Sequence, residues 1–189
     1  IRMKEKRTDK RTVMTKHRIE QAIMDDWIAG NTPSVKEITE KLQLNRNTFY
    51  IHYANIEDAT TSMFHGFTKE ILDRIDTKTY QDWTNDPQWV TSVIVDVLYQ
   101  DEKTKQMAFM TKLSSQYMID MTTEIVDHIY EEYSRNGINR PTMYLAINFL
   151  ISGFVHSLYT ITRNHPEMAD ANTLMNHIGP MVRKGFSEK

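Results

Sequence analysis

SVKEITEKLQLNRNTFYIHY, residues 34–53, reads as two short helices around a tight turn. In the first, Val35, Ile38 and Leu42 recur at i, i+3 and i+7, which makes one stripe apolar and leaves Lys36, Glu37, Glu40 and Lys41 wet. Ser34 stands before that stripe with Glu37 three residues on. This is the pattern of a capping box, in which each side chain satisfies an orphan backbone N–H at the helix start. Only Gln43, Leu44 and Asn45 separate this helix from the next, and Asn45 is itself a preferred N-cap. Phe49 and Tyr53, one turn apart, are expected to face inward. Arg46, Asn47, Thr48, Tyr50 and His52 are then left outside, a set rich in groups that donate to phosphates and base edges. Such a pair is the footprint of a helix-turn-helix that reads DNA. It also fits a plain helical corner with solvated polar residues, so the flanking segments decide.

Upstream, Ile19, Ala22, Ile23 and Trp27 form a stripe that can lie across the pair as a supporting helix, and Gly30 ends it where a left-handed residue closes a helix. Downstream, Asn55 caps a fourth helix in which Ala59, Met63, Phe67, Ile71 and Ile75 recur about every four residues. Here the chain resembles the TetR family of bacterial transcriptional regulators. The resemblance rests on KHRIEQAIMDDWIAGN at 16–31 and PSVKEITEKLQLNRNTFYIHYANIEDA at 33–59, with Thr48, Phe49, Tyr50, His52 and Tyr53 matching the recognition-helix pattern. Three positions depart from it. The glycine usual in the turn is Gln43, the small residue early in the recognition helix is Asn47, and the lysine usual at the start of the fourth helix is Ile56, which removes an expected phosphate contact.

Charge agrees with a DNA-facing head. Residues 1–53 hold eleven Lys and Arg against seven Asp and Glu, net +4, whereas the remainder holds 12 against 18, net −6. The whole chain, at a formal −2, conceals this, and binding depends on the local patch that displaces condensed counterions. The first eighteen residues carry eight basic against two acidic side chains, which reads either as a solvated tail or as an arm that tracks phosphates or enters a minor groove.

The chain's 189 residues suffice for a sizeable core, and its lack of cysteine excludes disulfides and thiol chemistry. No apolar run reaches the roughly 18 residues of a membrane span, and no apolar signal core follows the basic start, so a cytoplasmic protein without membrane partners is expected. His128, His156, His165 and His177 show no metal-ligand spacing, and no glycine-rich phosphate loop or nucleophile elbow occurs. The expectation is therefore a non-enzyme without cofactor or metal. Asp127-His128 followed by Glu131-Glu132 reads as a solvated helix face.

TYQDWTNDPQW, 79–89, reads as a loop, with Asp86 capping a helix that has Pro87 at its first position. Val90, Val93, Ile94, Val97 and Leu98 make the next stripe, followed by a short helix with Met107 and Met110 inward and a longer one carrying Met118, Met121, Ile125 and Ile129 to a stop at Asn136-Gly137. Pro141 opens a helix to about Asn164, and a last one carries Leu174, Ile178, Met181, Val182 and Phe186 past Gly179-Pro180. The expected architecture is all-α, with a DNA-binding domain at 1–54, a connecting helix at 55–78 and a helical ligand-binding and dimerisation domain at 79–189.

The helix from 141 to 164 is apolar on more than one stripe, which calls for cover on several sides. The resemblance implies that the last two helices pair with their copies, and places Phe154, Leu158, Ile178 and Val182 in a homodimer interface suited to a palindromic operator. It also implies a cavity in the body for an unknown effector, expected to be apolar. Met107, Met110, Tyr117, Met121 and Tyr144 are candidates for its wall, because Met-rich surfaces adapt to varied ligands, although Met at helical spacing more often fills a core. The expected DNA contacts are Ser34, Lys36, Asn45, Arg46, Asn47, Thr48, Tyr50 and His52. The chain then reads as a ligand-responsive repressor bound to a double-stranded operator. The alternative is a helical interaction module, or a regulator that acts through a protein partner.

Overall fold

The structure is a computed structural model that describes the backbone of residues 2–176 and the side chains of residues 10–176. Among these residues it is all helical: α1 (Arg2–Ile28), α2 (Val35–Lys41), α3 (Arg46–Tyr50), α4 (Ile56–Ile75), α5 (Tyr80–Asn85), α6 (Gln88–Leu98), α7 (Glu102–Phe109), α8 (Ser114–Arg135) and α9 (Pro141–Asn164), followed by a 3-10 turn (Pro166–Met168). Residues 171–176 are again helical, whereas the expected interface positions Ile178 and Val182 lie outside the described residues. Two compact units form, Ile1–Phe64 and His65–Lys189, and the division falls inside α4.

In the first unit, Ile19, Ala22 and Ile23 of α1 are buried, as are Ile38 of α2, Phe49 of α3, and Ala59 and Met63 of α4. Trp27 adds a polar tie, donating from Nε1 to the Thr60 hydroxyl at 3.0 Å. The helix ends are closed as the sequence proposes. Gly30, at φ +78, occupies the left-handed position past α1, and Asn31 N–H reaches back to the Asp26 carbonyl at 2.9 Å. Asn55 accepts from Asp58 N–H at 2.8 Å, and the Asp58 carboxylate accepts in turn from Ala54 N–H at 2.8 Å, so the start of α4 is tied from both sides.

In the second unit, α8 and α9 pack along each other, and the stripes of α6 (Val90, Val93, Ile94, Val97, Leu98) and α8 (Met118, Met121, Ile125, Ile129) are buried. The stretch expected as a loop holds α5 instead. Thr79 and Asp82 form a capping box there, and Trp83 is buried with its Nε1 donating to the Ile75 carbonyl at 3.2 Å. Asp86 ends α5, so Pro87 stands at the start of α6 without a side-chain cap. Gly137, at φ +84, closes α8, and Pro141 sits at the first position of α9.

α9 departs from the expected interface at Phe154 and Leu158. It carries no Asp, Glu, Lys or Arg from Pro141 to Thr162, and by length and composition it could cross a membrane, a test that a core helix also passes. One of its faces packs in the protomer: Phe154 is 2% exposed and Leu158 is fully buried beside Ile147, Ile151 and Val155. These two residues therefore belong to the core of a single chain and not to a surface available to a copy. The face left bare carries Leu145 and Phe149, 64% and 78% exposed, with Gly153 and His156 further along it. The positions 145, 149, 153 and 156 repeat at helical spacing, a second stripe that overall hydrophobicity had merged with the first.

Candidate nucleic-acid interface

α2 begins at Ser34, whose hydroxyl oxygen accepts from Glu37 N–H at 3.2 Å. The return half of the expected capping box differs. The Glu37 carboxylate takes the Ser34 hydroxyl at 2.6 Å, and no bond to the Ser34 backbone N–H is among those described. The turn after α2 is a Schellman closure, with Gln43 N–H on the Glu40 carbonyl at 3.1 Å and Leu44 N–H on the Thr39 carbonyl at 2.8 Å. Gln43 makes it at φ +54, in the left-handed region that normally suits glycine. α3 then starts at Asn45, whose side-chain oxygen accepts from Asn47 N–H at 2.9 Å and whose amide N–H groups stay able to donate.

Phe49, fully buried, anchors the inner face of α3, its ring 6.0 Å from that of Tyr53. Tyr53 donates its hydroxyl to Glu20 on α1 at 2.5 Å, and burial, with Glu20 beside it, pushes the phenol well above its ordinary pKa. Arg18 of α1 donates to the Leu42 carbonyl at 3.2 Å, which places a cation on the C-terminal end of α2. These bonds set the angle at which α3 leaves the turn.

The residues named from the sequence separate by exposure. Lys36, Asn45, Arg46, Asn47 and Tyr50 are exposed together on α2 and α3. Ser34, Thr48 and His52 are half-buried, and the Ser34 hydroxyl is engaged with Glu37. Lys41, by contrast, is ion-paired with Asp26 at 3.1 Å. Among the described residues Lys36 and Arg46 have no such ion pair. Ile51 was missed: it is 76% exposed beside Tyr50, yet it was not among the residues expected to face outward. The 54% exposure of Tyr50 next to it shows that this end of α3 turns an apolar surface outward. That surface can meet a thymine methyl, while Arg46 offers two donors for a guanine edge and Asn47 one donor and one acceptor for an adenine edge.

The expected effector wall does not form one group. Met107, Tyr117 and Met121 are buried, and burial raises the Tyr117 phenol pKa. Met110 lies half exposed just past the end of α7. Tyr144 sits at the surface of α9, donating to Asp127 at 3.0 Å. An apolar cleft occurs elsewhere in the second unit, lined by Trp83, Pro87, Val90, Ile129, Tyr133, Ile147 and Ile151, with room for little more than a water molecule. His128 pairs with Asp76 at 2.7 Å and not with the carboxylates beside it in sequence. Among the described residues no group of three or more potential metal ligands comes together.

No protein-family model matches the chain. An uncharacterized helix-turn-helix-type transcriptional regulator of Bacillus subtilis strain 168, YxbF, is 38% identical over 80 residues, a match that covers 39% of this chain and 20% of that protein. The match thus spans about a fifth of the length of the curated relative. A crystal structure of a transcriptional regulator of the TerR/AcrR family from Aquifex aeolicus VF5 superposes with a TM-score of 0.58 at 16% identity, over 90% of this chain and 96% of that one. At that identity the likeness concerns architecture, and it extends far beyond the helix-turn-helix: the chain has the fold of a TerR/AcrR-type transcriptional regulator.

Proposed function

We propose that this protein is a DNA-binding transcriptional regulator that reads its operator through α3. The observation that carries this reading is the joint exposure of Arg46, Asn47 and Tyr50 on a short helix whose other face is locked by buried Phe49. Local sequence likeness to a helix-turn-helix regulator and the shared fold support it. On this reading the protein acts as a homodimer on a two-fold site. The pairing surface is the bare stripe of α9 around Leu145 and Phe149, in place of Phe154 and Leu158. An apolar effector bound in the second unit shifts the balance between DNA-competent and incompetent states through its differential affinity for them, and α4, which carries residues of both units, is the proposed moving element.

The test is a binding titration with DNA selected by the wild-type protein. Arg46→Ala or Asn47→Ala, where the residue makes a bidentate base contact, costs about 1–3 kcal/mol and relaxes preference at one or two base pairs. Lys36→Ala weakens all sequences alike. Unchanged affinity and preference in both α3 variants would overturn the assignment.

A further inference from the structure

Among its described side chains, α1 extends beyond the part that is packed. It runs Arg2–Ile28, yet burial begins at Ile19, and among residues 10–18 only Thr15 is even half-buried. The exposed half is basic: Lys10, Arg11, Lys16 and Arg18 stand there, and the first eighteen residues carry eight basic against two acidic side chains. Arg11 and Arg18, seven positions apart, share one helix face. Arg18 fixes where that face points, since its guanidinium reaches the Leu42 carbonyl at 3.2 Å, at the end of α2 and just before the turn into α3. The stripe therefore borders the edge of the helix-turn-helix from which Asn45, Arg46 and Asn47 project. Lys16 lies 3.9 Å from Glu20, but Lys10 and Arg11 have no ion pair among the described residues.

We propose that the part of α1 before Ile19 is a backbone-binding arm that lies along DNA phosphates flanking the site read by α3. At 1.5 Å of rise per residue, the stretch from Arg2 to Ile19 reaches about 25 Å. The positive charge of Lys10 and Arg11, without an ion pair among the described residues, complements a phosphate backbone, and each phosphate it neutralises releases condensed counterions. Val13 and Met14 are exposed on the same segment, but two apolar side chains make too narrow a face to bury in lipid. The inference rests on the DNA-binding reading above and adds a sequence-independent contact to it.

Because phosphate contacts do not depend on sequence, the test needs no operator. The full chain is titrated onto a mixed-sequence duplex of about 30 base pairs between about 50 and 200 mM salt, the range over which such contacts weaken strongly. The Lys10→Gln/Arg11→Gln variant is compared with wild type and with Arg140→Gln, an exposed cation of the second unit. The proposal expects the slope of log affinity against log salt to shrink by about 0.9 per lost phosphate contact in the double variant and to stay at the wild-type value in Arg140→Gln. The same loss is expected on any duplex sequence. Wild-type DNA binding with an unchanged slope in the double variant would overturn the arm and leave the helix-turn-helix reading intact. Absence of salt-sensitive DNA binding by the wild-type chain would overturn both. An unchanged DNA slope together with variant-sensitive binding to anionic lipid vesicles would reassign the segment to a membrane surface.

Discussion

Gln43 shows how one residue can carry a turn against its own preference. A side chain at φ +54 stands in a region that costs an L-residue roughly 1–2 kcal/mol, and glycine avoids that cost while losing more chain entropy on folding. Gln43→Gly is therefore expected to stabilise the head by about 0.5–1 kcal/mol, read as a higher denaturant midpoint, and a lower midpoint would show that the Gln43 side chain contributes more than its backbone costs. Tyr53 gives a pH dependence whose sign follows from its raised pKa. The folded state holds the phenolic proton more tightly than the unfolded chain does, so this contribution is fully present below the ordinary phenol value of about 10 and is lost as pH rises beyond it. Buried Tyr117 acts in the same direction. Stability measured from pH 8 upward is expected to stay level to about 10 and then fall, and Tyr53→Phe to flatten part of that fall. At this scale the sequence was informative where a residue's role is local: Asn45, Asn55, Gly30 and Gly137 all cap or close helices as their chemistry suggests. It left Ile51 out of the outward set, because exposure of a single apolar residue depends on how far α3 extends, and α3 stops at Tyr50.

The elements were legible where periodicity was strong and ambiguous where composition dominated. α8 could be read residue by residue, since one buried face leaves a clean 3.6-residue pattern, whereas α6 also buries Thr91 and Val95 outside the stripe its sequence shows. α5 was hidden by Asp, Asn and Pro around it, although Thr79 and Asp82 already spelled a capping box. α9 was misread in detail because it has two apolar faces, and periodicity cannot tell which one the protomer covers. That difference is measurable. Phe154→Glu buries an unpaired charge and is expected to cost several kcal/mol, seen as lost helical signal or a collapsed melting temperature. Phe149→Glu, at a position 78% exposed, is expected to leave the fold intact. If the bare stripe pairs with its copy, sedimentation will show Phe149→Glu as a folded monomer where wild type is a dimer. A folded Phe149→Glu dimer would remove that stripe from the interface.

Across the whole molecule, charge is divided along the chain, net +4 over residues 1–53 against net −6 over the remainder. The fold class followed from helical periodicity and the resemblance over residues 16–59, but the effector wall did not, since packed methionines and cavity methionines look alike in sequence. Met107 and Met121 are core residues, and the described cleft is too small for a drug-sized ligand until something opens it. An apolar effector is accordingly expected to raise the melting temperature and change DNA affinity by roughly 5–150-fold, the range of 1–3 kcal/mol of coupling, with DNA weakening effector binding by the same factor. A screen of apolar metabolites that moves neither quantity would favour a protein partner as the signal. The central claim, that α3 reads sequence, is tested most directly by selecting bound fragments from random DNA and comparing the enriched duplex with a scrambled one at the same salt. The account predicts an enriched inverted repeat, with half-sites about 10–10.5 base pairs apart or a multiple of that, bound about 10³-fold or more tightly than the scrambled duplex. Equal affinity for both, with no enriched motif, would contradict it.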